Sequence, residues 1–327
     1  MRECKFCGCK NNLEKYTVRE MEMGFKEKFS YFFCKSCGTL QIESIPGNLS
    51  KYYSGNYYSF NLVKSNILKS TVRKLKDSYT LNPKSFNFLS NILNKISTFP
   101  NAQLTAIKHV YNKLNSYSYI LDVGCGNGAL LNRLANLGFK NLEGLDPFLS
   151  QNKALRNGVK LFKKSILDIN KKQFYDLIMF HHSFEHLTEN PYEVLKKVHT
   201  LLKNNGFCII RMPTTSSYAW EKYKENWVGI QAPRHVMIYS IRGFEILARK
   251  TNFQIQKFYF DSTHFSLVAS EQYKRGIPLN HESSFFINPK RSTFSKKDIR
   301  NFKKQAITLN NNNRGDMICV ILKKNYD

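Results

Sequence analysis

Four cysteines fall in two pairs, Cys4-x-x-Cys7 and Cys34-x-x-Cys37, and a glycine follows each pair in CKFCGC and CKSCGT. Four thiolates complete a closed tetrahedral shell. Such a shell leaves no position for water, so the Zn2+ it predicts is structural and not catalytic. Cys9 offers an alternate ligand. A different chemistry is implied by LDVGCGNG at 121–128, where Gly124, Gly126 and Gly128 crowd behind an acid, Asp122. Glycines let a backbone bend tightly and lie against a ligand with no Cβ in the way. Histidines form the third group: His181, His182, His186 and His235 carry imidazoles, the side chain that accepts or gives a proton near neutral pH.

These residues need elements to hold them. The chain has 327 residues, 42% hydrophobic and 14% aromatic, which describes a globular protein and excludes a disordered one. MRECKFCGCK lacks the apolar core of a signal peptide, and no run reaches the roughly 18 apolar residues of a membrane span. A soluble, cytoplasmic protein is expected, in which paired CxxC serves a metal before a disulfide. The net charge of +26 suits a nucleic acid or an acidic substrate, but lysines scattered in ones and twos equally fit a lysine-rich composition.

Residues 1–45 read as a zinc ribbon, with two strands within YTVREMEMGFKEKFSYFFC between the cysteine pairs. Residues 46–115 read as a helical connector or lid, with helical spacing in FNFLSNILNKI and LTAIKHVYNKL. From 116 to 327 short apolar runs alternate with amphipathic stretches. YSYILDVG, LEGLD, GVKLFKK, YDLIMFHH and FCIIRMP read as five strands; ALLNRLANLG and PYEVLKKVHTLLKNNG read as helices stopped by glycine. FQIQKFYF and DMICVILKK add two strands. Between them lies a helix around FSLVASEQYK and then a basic, loop-like stretch. The pattern predicts an α/β fold with a doubly wound, Rossmann-like sheet of seven strands.

The glycine stretch fits two patterns. Gly124-x-Gly126-x-x-Ala129 is that of a dinucleotide site. D-x-G-x-G-x-G, which includes Asp122, is more particular: a carboxylate there repels a pyrophosphate and attracts a sulfonium or an amino group, both of which S-adenosylmethionine carries. LDVGCGNG resembles motif I of the class I S-adenosylmethionine-dependent methyltransferases. GLDP, YDLIMFHHSFEHL and LLKNNGFCIIRMP resemble the motifs that follow it, over about 118–260 with a last strand near 317–322. The resemblance implies a donor site made by Asp122, Gly124, Cys125, Gly126 and Gly128. It adds Asp146 and Pro147 at the second strand tip, where Asp146 meets the ribose hydroxyls or else caps a helix. Leu167 or Asp168 would meet the adenine, and His181 would stand at the fourth strand tip.

The cysteine pairs, the tyrosines Tyr52, Tyr53, Tyr57 and Tyr58, and NWVGIQAPRHVMIYS are together similar to a bacterial group acting on nucleotide-linked sugars and surface glycans. That likeness implies a small-molecule acceptor methylated at O or C. Tyr57, Tyr58, Trp227 and Arg234 would contact it, and His186, His182 or His235 would serve as base. An RNA base methyltransferase with a zinc module is the alternative, although the fourth strand leads into HHSF and not an NPPY-type motif. A cofactor-binding scaffold without turnover is a third reading.

Overall fold

The computed structural model describes residues 3–53, 67–83 and 101–325. Near the N-terminus the aromatic and β-branched runs form an antiparallel meander of β1 (Leu13–Arg19), β2 (Lys28–Cys34) and β3 (Leu40–Ile42). The loop joining β1 to β2 folds around a buried acid. Glu20 Oε1 accepts the amides of Glu22 and Met23 at 2.7 and 2.6 Å, and Oε2 accepts that of Phe25 at 2.8 Å.

The main sheet contains β4 (Tyr119–Val123), β5 (Asn141–Leu145), β6 (Lys153–Ala154), β7 (Lys160–Phe162), β8 (Tyr175–His181), β9 (Leu202–Pro213), β11 (Phe253–Phe260) and β12 (Met317–Lys324), in the spatial order β11-β12-β9-β8-β4-β5-β7-β6. It is mixed: β7, β5, β4, β8 and β9 run parallel, and β12 lies antiparallel between β9 and β11. It has eight strands where seven were expected, because β6 pairs antiparallel with the edge strand β7. A two-residue strand is too short to leave a periodic signature.

The helices are α1 (Ile67–Leu81), α2 (Ala102–Lys108), α3 (Ala129–Asn136), α4 (Pro191–Leu201), α5 (Tyr218–Tyr223), α6 (Ile241–Lys250), α7 (His264–Lys274) and α8 (Lys296–Asn311). Successive strand residues point to opposite faces, so the parallel strands feed two cores. Ile120, Leu177 and Met179 join Leu104, Ile107 and Leu130 of α2 and α3. Leu121, Ile178 and Phe180 join Val194 and Val198 of α4 and Leu247 of α6. In the expected connector, α1 is fastened to α3 by the Arg133 guanidinium on buried Asp77, with Nε to Oδ2 at 2.8 Å. FNFLSNILNKI lies outside the described residues. LTAIKHVYNKL gives only the short α2 and a 3-10 turn at Tyr111–Lys113.

Two other expectations change. The helix expected up to Gly206 stops at Leu201; β9 begins at Leu202 and bends at Asn205, at φ +63°, where its register with β8 shifts. The basic stretch before β12 is loop only over 275–295; 296–311 form α8. Its start is a capping box, with Ser295 Oγ accepting from the Asp298 amide at 3.2 Å and Asp298 Oδ2 accepting from the Ser295 amide at 2.8 Å.

The two sheets are joined. Met237–Ile238 (β10) pairs with β3 as the fourth strand of the N-terminal sheet. Tyr31 donates to the His235 carbonyl at 2.9 Å, Ser240 donates to the Cys37 carbonyl at 2.6 Å, and Phe6 stacks on Tyr192. One apolar core therefore runs from Cys4 and Tyr31 through Phe184 to Val194. Among the described residues no helix is long and apolar enough to cross a membrane.

Candidate active site

The glycine bend lies at the carboxyl end of the central strand β4. Gly124, Gly126 and Gly128 all take positive φ, at +76°, +52° and +76°. At Gly124 the space of a Cβ is filled by Ser183, whose hydroxyl donates to the Val123 carbonyl at 2.5 Å. Gly128 opens α3. Asp146, at the tip of β5, holds the bend from the other side: Oδ2 accepts the Gly126 amide at 3.0 Å and Oδ1 the Phe148 amide at 2.9 Å. Each oxygen retains a second lone-pair site for a hydroxyl. No helix begins at Asp146, so the capping alternative is set aside. Pro147 and Phe148 beside it are exposed.

Other residues of the expected donor site are placed less directly. The Cys125 side chain turns into the core against Gly144, so only its backbone faces the bend. Leu167 is half-buried on the core, and Asp168 closes its own turn by accepting the Ser165 amide at 3.0 Å. His181 is buried, and neither ring nitrogen has a hydrogen-bond partner among the described residues. Burial, and then the charge of Arg211, push it well below the ordinary histidine range, so it is neutral.

Asp122 is the main electrostatic feature. It is buried, Oδ1 has no hydrogen-bond partner among the described residues, and burial together with the neighbouring Asp146 pushes its carboxyl up to about 8. An orphaned buried acid beside a second acid fits a cationic ligand, as the sulfonium and ammonium of S-adenosylmethionine require. A cation binds the ionised acid, so the ligand-free protein at pH 7 must give up a proton on binding. Donor affinity is expected to rise with pH between 7 and 9, by up to about tenfold per unit below the shifted value. Calorimetry at pH 7 in two buffers of different ionisation enthalpy should register release of about one proton, and Asp122→Asn should abolish that buffer dependence. Identical heats in both buffers would remove Asp122 from the site.

The histidines converge on the next turn. His182 adopts φ +57°, with its amide donating to the Arg211 carbonyl at 2.8 Å. Its Nε2 contacts the Arg211 guanidinium, which Asp261 grips from the far side with Nε to Oδ2 at 2.7 Å. Glu185 is fully buried, with His182 Nδ1 at 3.6 Å and His235 Nε2 at 3.9 Å from Oε1. His186 Nδ1 lies 3.0 Å from the Arg234 carbonyl and 3.0 Å from the Tyr53 hydroxyl, and burial pushes this imidazole down to about 4. The bases proposed from the sequence therefore do share one place. Glu185, named only as part of FEHL, lies at its centre. That position is invisible in the sequence, because the residues around it come from four separate segments.

On the acceptor side the match is poorer. Trp227 is in the core, with Nε1 donating to Asp316 Oδ2 at 3.0 Å, because a buried indole N–H needs a partner. Arg234 is buried and paired with Glu22, with Gln231 Oε1 at 3.0 Å. Tyr57 and Tyr58 lie outside the described residues. Tyr53, which nothing in the sequence marks for the site, stacks on Phe148 at 5.0 Å between centroids and meets His186, linking the glycine-bend side to the histidines.

The four cysteines meet as their spacing predicts, with all four Sγ atoms within 4.8 Å of one another. Cys4 to Cys37 and Cys7 to Cys34 are each 3.7 Å apart. A tetrahedral Zn2+ with bonds of about 2.3 Å sets an edge of about 3.8 Å, so the residues fit that ion. Gln41 Nε2 donates to Cys4 Sγ at 2.9 Å and the Cys7 amide approaches it at 3.5 Å, as donors to a thiolate do. Cys9 bonds instead to the Asn11 carbonyl, at 2.6 Å.

A family model described as a methyltransferase domain matches residues 92–257, slightly more than half of the chain. A ubiquinone biosynthesis O-methyltransferase from Rickettsia canadensis is 32% identical over 107 residues, 31% of this chain and 44% of that protein, so this chain spans less than half the length of that curated relative. Among solved structures, a cyclopropane synthase from Mycobacterium tuberculosis matches 79% of this chain and all of its own at 15% identity and a TM-score of 0.46. A SAM-dependent methyltransferase from Archaeoglobus fulgidus matches 73% of this chain and all of its own at 17% identity and a TM-score of 0.42. With the family model spanning the glycine bend and both strand-tip acids, the chain belongs to the methyltransferase-domain family.

Proposed function

We propose that the chain is an S-adenosylmethionine-dependent methyltransferase that acts on a small molecule, at oxygen or carbon, with a nucleotide-linked sugar or glycan precursor as the acceptor class, and that Zn2+ on Cys4, Cys7, Cys34 and Cys37 is a structural part. The observation that supports methyl transfer beside the histidines is the joint at Ser183; the acceptor class rests on the sequence resemblance alone. The residue that fills the notch over Gly124 stands between His182 and Glu185, so the histidine cluster is one short turn from the donor loop. The bound donor supplies an electrophilic methyl group on a sulfonium. Asp122 and Asp146 hold its charge and its hydroxyls, and the residues around Glu185 receive the acceptor's proton. With its Nδ1–H held by the Arg234 carbonyl, His186 presents Nε2 as a lone pair. The O-methyltransferase named above favours oxygen over carbon as the site of transfer.

The test is methyl uptake from labelled S-adenosylmethionine into nucleotide-sugar pools, with phenols and bulk RNA as parallel arms. Label in the nucleotide-sugar arm, lost at saturating donor in His186→Asn, is the expected result. Label confined to RNA would replace this reading with a nucleic-acid acceptor.

A further inference from the structure

Glu185 is fully buried, and among the described residues neither of its oxygens has a hydrogen bond. Protonation would serve at most one of the two oxygens and leave the other without a partner. Two imidazoles share the pocket. One ligand atom each from Glu185, His186 and His235 lies within 4.8 Å of the others. The second ring nitrogen of each histidine is engaged by a backbone carbonyl: His235 Nδ1 is 2.7 Å from the Gly229 oxygen, and His186 Nδ1 is 3.0 Å from the Arg234 oxygen. Both Nδ1 atoms are thereby protonated and both Nε2 atoms carry lone pairs, the arrangement that metal-ligating histidines adopt. His182, whose Nε2 faces the Arg211 guanidinium, keeps its hydrogen on Nδ1 and directs it toward Glu185 from 3.6 Å.

We propose that Glu185, His186 and His235 form a second metal site, separate from the four thiolates, for a divalent cation that accepts mixed nitrogen and oxygen ligands, such as Zn2+, Fe2+, Mn2+ or Co2+. Two histidines and one carboxylate leave coordination positions open, unlike the closed thiolate shell. Those positions suit an oxygen of the acceptor, whose proton a bound cation would loosen, in place of transfer to an uncoordinated imidazole. The proposal rests on the geometry around Glu185 and on no particular acceptor, so it stands or falls apart from the methyl-uptake result.

The experiment uses the full chain without a histidine tag. Metal content is measured by emission spectroscopy, and Co2+ is then titrated in and followed by visible absorption. The expected result is one equivalent of metal beyond that on the thiolates, either present as purified or taken up as Co2+ with d–d bands and no sulfur-to-cobalt charge transfer. Glu185→Gln is expected to weaken that uptake at least tenfold, and so is His186→Asn, at a half-buried position. If neither a second native metal nor nitrogen- and oxygen-bound Co2+ is found at millimolar metal, the site does not exist. Uptake unchanged in the folded His186→Asn protein would equally overturn it.

Discussion

If the four thiolates hold Zn2+ as proposed, replacing Cys34 with serine is expected to release it and reduce turnover at least about 100-fold, while donor affinity changes by less than about threefold. Binding of a structural Zn2+ is worth about 10–16 kcal/mol, as much as the whole stability of a typical domain, so the N-terminal meander cannot survive its loss. The damage should spread in one direction. β3 pairs with β10, and Tyr31 holds the His235 carbonyl, so the segment carrying Arg234 and His235 loses its support. The glycine bend is held by Leu145, Asp146 and Ser183, none of which belongs to the meander. Metal content, donor calorimetry and turnover on one preparation decide the matter. Full turnover in metal-free protein, or donor affinity lost along with the metal, would refute this division of labour.

Gly124→Ala should destabilise the fold by about 2–5 kcal/mol, the sum of an intruding methyl group and a left-handed backbone. A Cβ there collides with the Cβ of Ser183, whose hydroxyl is tied to Val123, so the turn carrying His182 and Glu185 must move. Gly138 is the matched control: its φ is +102°, yet nothing lies within 4 Å of an added Cβ. Gly138→Ala should therefore cost only the backbone term, about 1–2 kcal/mol, and leave turnover intact. Denaturant unfolding compares the two. Equal losses would mean that Ser183 packing is not what position 124 requires.

The donor half of the site is legible in the sequence because its chemistry is local. LDVGCGNG holds the bend and its acid within eight residues, and GLDP ends the next strand. The acceptor half is not. In a glycine-containing loop Trp227 reads as an aromatic waiting for a ligand, and only Asp316, 89 positions away, shows it to be a core indole. Arg234 reads as an anion grip until Glu22 arrives from the other end of the chain. The helix α8 was within reach, since Ser295-x-x-Asp298 is a capping signature, but its lysine-rich outer face hid the apolar spacing of Ile299, Phe302 and Ala306. The strand β10 has only two residues and pairs with a partner roughly 200 positions earlier; nothing local in the sequence encodes that.

That pairing also sets a timetable for the nascent chain. The meander leaves the ribosome early, but its open edge at β3 waits for residues 237–238 to be made. At ordinary elongation rates the delay is roughly 10–40 s. During it an unpaired, fully buried-type edge of Leu40, Gln41 and Ile42 is exposed to any passing strand. Early capture of metal by the thiolates would stiffen the meander through this interval, so growth under zinc limitation should show first as aggregation of newly made protein rather than as slow catalysis by finished enzyme.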